Sequence, residues 1–325
     1  NDGGGSNSGH VRVYQYNDIS WNKMGQDIDG DASDDWFGFS TAINKEGTII
    51  AAGAVYGGSN DEGYVKIYEW DKDNETWNQL GNNIIGNSGD DFLGQSVSLS
   101  KDGSIIAISH RGKNHGNRGR LTAHQWDGTS WNQLGDNTQM KNINNNDQGV
   151  KAGDDILKTA ISGDGTLIVV GSEYNDPSGG SDKGIVRTYK WNGSDTWVED
   201  TPSIQGEVNS DKFGRSVALS EDGMYLAASA VQQDVNGSNS GTVYRYKRNT
   251  NGDGWDNIDK IYGKSQNDQA GHSIAFSGNG LKLLIGAPYS DMHDDVNDSH
   301  DRGTLTVYAA QNMSEETNNL LIKSH

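Results

Sequence analysis

Five carboxylates fall within eleven residues of one predicted loop, and carboxylates are the side chains that bind hard metal ions. Hard cations such as Ca²⁺ take six to eight oxygen ligands, so a stretch this rich in aspartate could supply a calcium site. The alternative is a solvated acidic loop. Calcium is the only cofactor that the sequence predicts, with these candidate ligands: Asp291, Asp294, Asp295, Asp298 and Asp301.

A second set of aspartates recurs at intervals of 56 to 64 residues, each just before a short segment that contains alternating apolar residues. As a ring of carboxylates at one rim, they could bind cations. As turn residues, they would accept backbone N–H bonds at the entrance of each repeat. We favour this architectural role because a residue type found in every repeat meets a need that every repeat shares. The set is Asp35, Asp91, Asp155, Asp211 and Asp268.

Tryptophans recur with a similar period. An exposed indole ring could stack on a sugar, whereas a buried one would pack between neighbouring repeats with its N–H at the edge. We favour packing, and therefore an architectural role, for the set Trp21, Trp77, Trp131, Trp197 and Trp255.

The residue types that catalysis requires do not converge on a motif. Eight histidines are present, but none has the His-x-x-x-His or His-Glu-x-x-His spacing of zinc hydrolases. The lack of cysteine excludes disulfides, thiol catalysis and zinc–thiolate sites. Catalysis needs a few unlike residues in one place, while this sequence repeats the same residues. We therefore predict a protein that is not an enzyme and has no catalytic residues.

The recurring residues belong to a unit of about 57 residues that occurs five times and reads as four strands, a to d. Strand a follows the repeated aspartate, and an Asp-Gly-type pair predicts a type I′ hairpin turn to strand b. Strand b is a continuous apolar run, typical of a strand buried on both faces. Strand c alternates, and strand d holds the tryptophan. The pattern predicts an all-β chain that folds as a β-propeller of four-stranded blades.

The units do not add up to a whole number of blades. An N-terminal c–d pair, around Val11–Tyr14 and Trp21, has no a–b pair of its own. We predict five full repeats plus this leftover half blade. Five blades are favoured, six are the alternative, and seven would require completion by another chain. A single propeller domain is expected over residues 1–310, followed by a tail, 311–325, that could close the propeller or be donated as a strand.

Charge and hydropathy narrow the range of partners and locations. A net charge of −19 argues against nucleic-acid binding, which needs a basic face. No apolar run approaches the roughly 20 residues of a membrane span. Five Asn-x-Ser/Thr sequons are candidate N-glycosylation sites of a glycoprotein if the source is eukaryotic. They are Asn74, Asn192, Asn236, Asn297 and Asn312.

Three short sequence segments resemble a known repeat: Phe213–Ala218, Ile285–Pro288 and Gly241–Tyr244. They resemble the FG-GAP repeats of integrin α-subunit propellers and, more closely, FG-GAP-like repeats of secreted proteins from marine bacteria and algae. The resemblance covers roughly residues 1–310. It implies a propeller, extracellular exposure, adhesion or interaction roles and, often, calcium. The family's calcium loop, Asp-x-Asp-x-Asp-Gly-x-x-Asp, is not reproduced; the nearest segments are Asp27–Asp31, Asp234–Ser238 and Asp291–Asp301.

Three functions are compatible with these observations. We favour a non-enzymatic extracellular structural or adhesion module, secreted or at the cell surface. It could be a filament protomer, because an unpaired strand pair is an open edge that recruits strands. Its expected partners are copies of itself, other extracellular proteins or glycans. The first alternative is a carbohydrate-binding, lectin-like propeller, and the second is a propeller hydrolase.

Overall fold

The computed structural model describes residues 3–111, 119–135, 157–175, 181–290 and 303–309. Every regular element within these ranges is a β-strand, which confirms the predicted all-β class. The strands are β1 (His10–Tyr16), β2 (Trp21–Asp29), β3 (Phe37–Ile43), β4 (Ile49–Ala54), β5 (Tyr64–Asp71), β6 (Thr76–Gln79), β7 (Ile84–Ile85), β8 (Ser96–Leu99), β9 (Ile105–His110), β10 (Arg120–Trp126), β11 (Trp131–Gln133), β12 (Leu157–Ile161), β13 (Leu167–Ser172), β14 (Ile185–Trp191), β15 (Trp197–Glu199), β16 (Ile204–Gln205), β17 (Phe213–Leu219), β18 (Tyr225–Ala230), β19 (Thr242–Arg248), β20 (Trp255–Tyr262), β21 (Ser273–Phe276), β22 (Lys282–Ala287) and β23 (Thr304–Ala309).

The strands form the blades of a β-propeller, each an antiparallel sheet in the order a-b-c-d. Blade 1 is β3-β4-β5-β6, blade 2 is β8-β9-β10-β11, blade 3 is β12-β13-β14-β15 and blade 4 is β17-β18-β19-β20. The short strands β7 and β16 pair with β5 and β14. Blade 5 contributes β21-β22-β23 to the described residues. The leftover c–d pair predicted from the sequence is a separate two-stranded sheet, β1-β2, which we call the half blade.

The chain divides into two compact units. The first holds the described residues up to 135, with residue 157 and the segment 191–197, and so contains the half blade and blades 1 and 2. The second holds residues 158–190 and 198 onward, and contains blades 4 and 5 with most of blade 3. The prediction of a single domain over residues 1–310 remains a prediction.

The a–b hairpins lie where the Asp-Gly-type pairs predicted them, but their turns are not type I′. A type I′ turn needs positive φ at both central residues, whereas only the second residue of each pair has it, as at Gly223 with φ 68°. The loop is wider: Gly223 N–H donates to the Ser220 carbonyl at 3.0 Å, and Ser220 N–H donates to the Tyr225 carbonyl at 2.9 Å. The Ser220 hydroxyl also accepts from Tyr225 N–H at 2.9 Å, so a side chain closes the wider loop.

Within each unit the core lies between successive blades, and strand b has apolar residues on both sides. In β4, Ile50 and Ala52 pack towards the half blade, while Ala51 packs towards blade 2. Strand β18 alternates in the same way, with Leu226 facing blade 3 and Ala227 facing blade 5. A blade therefore buries its central strands completely only when it has a neighbour on each side.

Candidate functional site

The repeated aspartates lie buried at the start of strand a. Those that the structure describes are 0 to 5% exposed. Asp268 accepts backbone N–H bonds from Lys264 and Ser265, at 3.0 and 2.8 Å, and Asp91 accepts one from Asn87 at 2.8 Å. In this way each carboxylate fixes the chain segment that leads into its blade. Asp35 accepts from Ala32 N–H and the Tyr64 hydroxyl, Asp211 accepts from Gln233, and Asp155 lies outside the described residues.

The carboxyl of Asp211 has a raised pKa. Burial raises the pKa of its carboxyl to about 6, and the nearby charges of Asp234 and Glu207 act in the same direction. The amide of Gln233 opposes the shift by donating to Asp211 Oδ2 at 3.2 Å. Asp211 also lines a shallow cavity of about 380 Å³, together with residues of the loop 232–239 that contains Asp234.

The residue after each of the four described aspartates adopts a left-handed backbone conformation. Its φ is 55° at Trp36, 51° at Phe92, 56° at Lys212 and 49° at Gln269. Positive φ is uncommon for residues other than glycine, so its recurrence shows that the blade entrance requires it. The side chain, in contrast, changes from blade to blade. An aromatic residue is therefore not needed there for folding.

In the first unit, this position holds Trp36 and Phe92. Both belong to a partly exposed aromatic cluster that we call the aromatic patch: Trp36, Phe39, Tyr56 and Phe92. Trp36 and Phe39 are 46% and 43% exposed. The Trp36 ring lies 4.8 Å from Tyr56, edge to face, and 6.4 Å from Phe39. Tyr56 in turn meets Phe92 at 5.5 Å. The patch could not be predicted from the sequence because its members lie on different loops and strands.

The strand-d tryptophans connect neighbouring blades in the first unit. Each of three indole N–H groups donates to a carbonyl of strand d, or of the residue just after it, one blade back along the chain. Trp255 Nε1, in contrast, is buried without a partner among the described residues. The three bonds are Trp77 Nε1 to Met24 O (3.1 Å), Trp131 Nε1 to Leu80 O (2.9 Å) and Trp197 Nε1 to Leu134 O (3.1 Å).

Trp21 occupies the same repeat position in the half blade but is 69% exposed, against 2% for Trp77 and 0% for Trp197. Strand β1 shows the same contrast. Its Tyr14 is 47% exposed, although the equivalent Tyr68 is 8% exposed. Val11 and Val13 pack towards blade 1, so it is the opposite face of the half blade that is open.

Of the calcium-like segments in the described chain, Asp27–Asp31 pairs two of its carboxylates with cations. Arg12 donates to Asp27 at 2.6 Å and Lys23 also pairs with Asp27, which holds the pKa of that carboxyl well below its usual range. Asp31 pairs with Lys66. Among the described residues, no three His, Asp or Glu side chains are arranged to hold a metal ion. The predicted calcium ligands lie outside these residues: Asp291, Asp294, Asp295, Asp298 and Asp301.

Three of the five sequons lie in the described ranges, and all three asparagines are exposed: Asn74, Asn192 and Asn236. Asn236 Nδ2 donates to the Gly263 carbonyl at 2.7 Å, so a glycan there would displace a structural bond. Asn297 and Asn312 fall outside the described ranges. In the described chain no helix is long and apolar enough to cross a membrane.

Residues 206–246, which run from the segment before strand a of blade 4 into its strand c, match the family model described as the FG-GAP repeat. The chain carries an FG-GAP repeat. The resemblance predicted from the sequence is thereby confirmed. FG-GAP repeats are typical of extracellular proteins. Comparison with curated proteins gives no match.

Solved structures similar to this chain are propeller-like proteins. One is a protein of Bacteroides fragilis NCTC 9343, provisionally assigned as a 6-phosphogluconolactonase. It has a TM-score of 0.60 and 12% identity over 98% of this chain and 80% of that one. Another is a protein from Lactobacillus plantarum, with a TM-score of 0.56 and 12% identity over 92% and 73%. At this identity the likeness concerns the fold alone.

We expect Asp211→Asn to stabilise the protein at neutral pH. Because the folded-state pKa of Asp211 lies above its ordinary value, the native state takes up a proton between about pH 6 and pH 4 and gains stability there. Asparagine mimics the protonated carboxyl and cannot titrate. The free energy of unfolding, from urea denaturation across this range, should be higher for the variant at pH 7.5. The difference should shrink as pH falls, by at most about 1.4 kcal/mol per pH unit. A variant less stable than wild type at pH 7.5 would contradict the assignment.

Proposed function

We propose that this protein is a non-catalytic, extracellular interaction module that associates with copies of itself through the half blade. The observation that carries the proposal is the exposure of a face that blades 1, 3 and 4 bury at Tyr68, Tyr189 and Tyr246. Tyr14 and Trp21 occupy positions that are buried in blade 1, at Tyr68 and Trp77, yet they are 47% and 69% exposed. Large exposed apolar faces of this kind mark interaction surfaces.

A charged residue of the open face, Arg12, is also more exposed than its equivalents in other blades. The side chain of Arg12 is 44% exposed, whereas Lys66 and Arg187, at the same position of strand c, are 6% and 10% exposed. Strand β1 pairs only with β2 among the described strands. It therefore also presents an edge to which another strand can add. The half blade thus offers a partner both an exposed apolar face and a strand edge that is unpaired among the described strands.

Blade 5 is the matching element at the other end of the repeat series. Strand β23 is only half-buried along its whole length, whereas the equivalent β19 is buried over its first five residues. Leu305 of β23 takes the position of Val243 and Val65, which are 0% exposed. Because these two surfaces differ, contact between them would be heterologous. A heterologous contact between copies gives a ring or a filament.

The proposal is tested by replacing the exposed aromatic residues of the half blade together: Tyr14→Thr, Tyr16→Thr and Trp21→Thr. Threonine preserves strand propensity and removes the apolar surface. Sedimentation velocity over a wide concentration series should show concentration-dependent assembly of the wild type, with association weakened at least about tenfold in the variant. Unchanged circular dichroism and thermal midpoint would show that the variant is folded.

The matched control replaces two residues that are equally exposed outside the half blade, Val208→Thr and Val235→Thr, which are 56% and 50% exposed in the wild type. This control should assemble like the wild type. A wild type that stays monomeric at every concentration would contradict self-association. So would equal assembly by the wild type and the half-blade variant.

Carbohydrate binding is a second candidate function, favoured by the aromatic patch. Trp36 is 46% exposed at a position where the fold accepts lysine or glutamine. Its ring, with Phe39 beside it, provides a flat apolar surface held in place by Tyr56. Aromatic rings of this kind pack against the apolar face of a sugar, while their polar surroundings bond its hydroxyls.

We expect Trp36→Asn to weaken saccharide binding by about tenfold, because it removes the stacking surface while asparagine tolerates the left-handed backbone. A glycan array would identify a neutral oligosaccharide, and quenching of tryptophan fluorescence would measure its affinity. The matched control is Gln269→Asn, at the same backbone position of blade 5. No binding on the array, or equal affinity of the two variants, would reject this candidate.

A further inference from the structure

Basic residues occupy one repeat position in all three blades of the second unit. In blades 4 and 5, Arg215 and His272 each follow the strand-a glycine, and in blade 3 the shortened strand a places Lys158 at the corresponding point. Adjacent blades meet there, since Ile274 N–H donates to the Ser216 hydroxyl at 3.2 Å. The other two blades have Phe39 and Gln95 at this position, so the fold does not require a basic residue.

Arg215 links the members of this group. Its Nη1 donates to Glu173 Oε1 at 2.6 Å, and its Nη2 lies 3.2 Å from His272 Nε2. Glu173, just after β13, is 1% exposed, so the carboxylate is held in a nearly dry position. Because the guanidinium can only donate, His272 Nε2 accepts, and the imidazole is neutral with its proton on Nδ1.

Lys158 completes the group. Its pKa is lowered, first by burial and then by the charge of Arg215, while Glu173 opposes the shift. The pKa of His272 is lowered by burial, by Arg215 and by Lys158. Among the residues that the structure describes, the Lys158 ammonium has no hydrogen-bond or ion-pair partner. Arg215 pairs with Glu173, so the Lys158 ammonium adds a positive charge with which no described carboxylate pairs.

We propose that Lys158, Arg215 and His272 form a binding site for a sulfate or phosphate group, which we call the oxyanion site. Such a group offers several acceptor oxygens to donors from equivalent positions of three successive blades, and charge-assisted bonds to it are short and strong. Glu173 holds Arg215 in place. The anion would supply the partner that the Lys158 ammonium lacks. This site is independent of the half blade and of the aromatic patch, and it requires no catalysis.

The test is isothermal titration of the full chain at low ionic strength with inorganic phosphate and inorganic sulfate, with chloride as the reference anion. Lys158→Met keeps the length of the side chain and leaves no buried partner behind, so the protein should fold. It should weaken binding of both oxyanions by at least about tenfold, the size expected for one charge-assisted bond. The matched control is Lys247→Met, an exposed lysine of the same unit, which should leave the affinity unchanged.

A sulfated or phosphorylated monosaccharide and its neutral parent distinguish the two sources of the group. An ester that binds more tightly than the free ion assigns the site to a substituted saccharide, and equal affinity assigns it to the free ion. Failure of the wild type to bind any of these oxyanions would overturn the proposal. Equal weakening by Lys158→Met and Lys247→Met would also overturn it, because it would show screening by overall charge.

Discussion

The structure depends on one constraint, which is that a blade buries its central strands only between two neighbours. Strand b has apolar side chains on both faces, with alanines such as Ala51 and Ala52 directed to opposite sides. Where a tryptophan of strand d is bonded, its indole N–H reaches a carbonyl one blade back. These contacts form repeatedly along the series and stop at its ends. Trp21 and Tyr14 are exposed because the neighbour on their side is missing from the described chain.

Comparison of the repeats distinguishes the residues that the fold requires from the positions whose side chains can vary. The buried aspartate and the left-handed residue after it occur at the entrances of blades 1, 2, 4 and 5. The corresponding residues of blade 3 lie outside the described ranges. The side chains at two positions vary, however. One position holds tryptophan or phenylalanine in the first unit and lysine or glutamine in the second. The other holds a basic residue only in the second unit. Departures from the repeat, rather than the repeat itself, therefore identify the aromatic patch and the oxyanion site.

Much of the fold could be predicted from the sequence because the repeat is local. Each a–b hairpin has its turn pair within a few residues of both strands, and the half blade follows from counting the strands. The turn type was wrong because Asp-Gly pairs also fit a wider loop when a preceding serine closes it, as Ser220 does. The calcium ligands, glycosylation sites and adhesion role remain predictions.

The two sites outside the half blade were missed for a physical reason. Arg215 and His272 are 57 residues apart, and they meet only because successive blades stack in register. The aromatic patch depends in the same way on Tyr56 lying between Trp36 and Phe92. One signal was present in the sequence: aligning the residue after each strand-a glycine would have shown that the basic residues fall in consecutive repeats.

Self-association requires that the half blade have no neighbour among the described residues of its own chain and gain one from another copy. Hydrogen exchange, followed by mass spectrometry at low and high protein concentration, tests it most directly by comparing β1 with β5. At low concentration the amides of His10–Tyr16 should exchange much faster than those of Tyr64–Asp71, because β5 is paired on both edges and β1 on one. At high concentration β1 should become protected. Protection of β1 equal to that of β5 at every concentration would contradict the account.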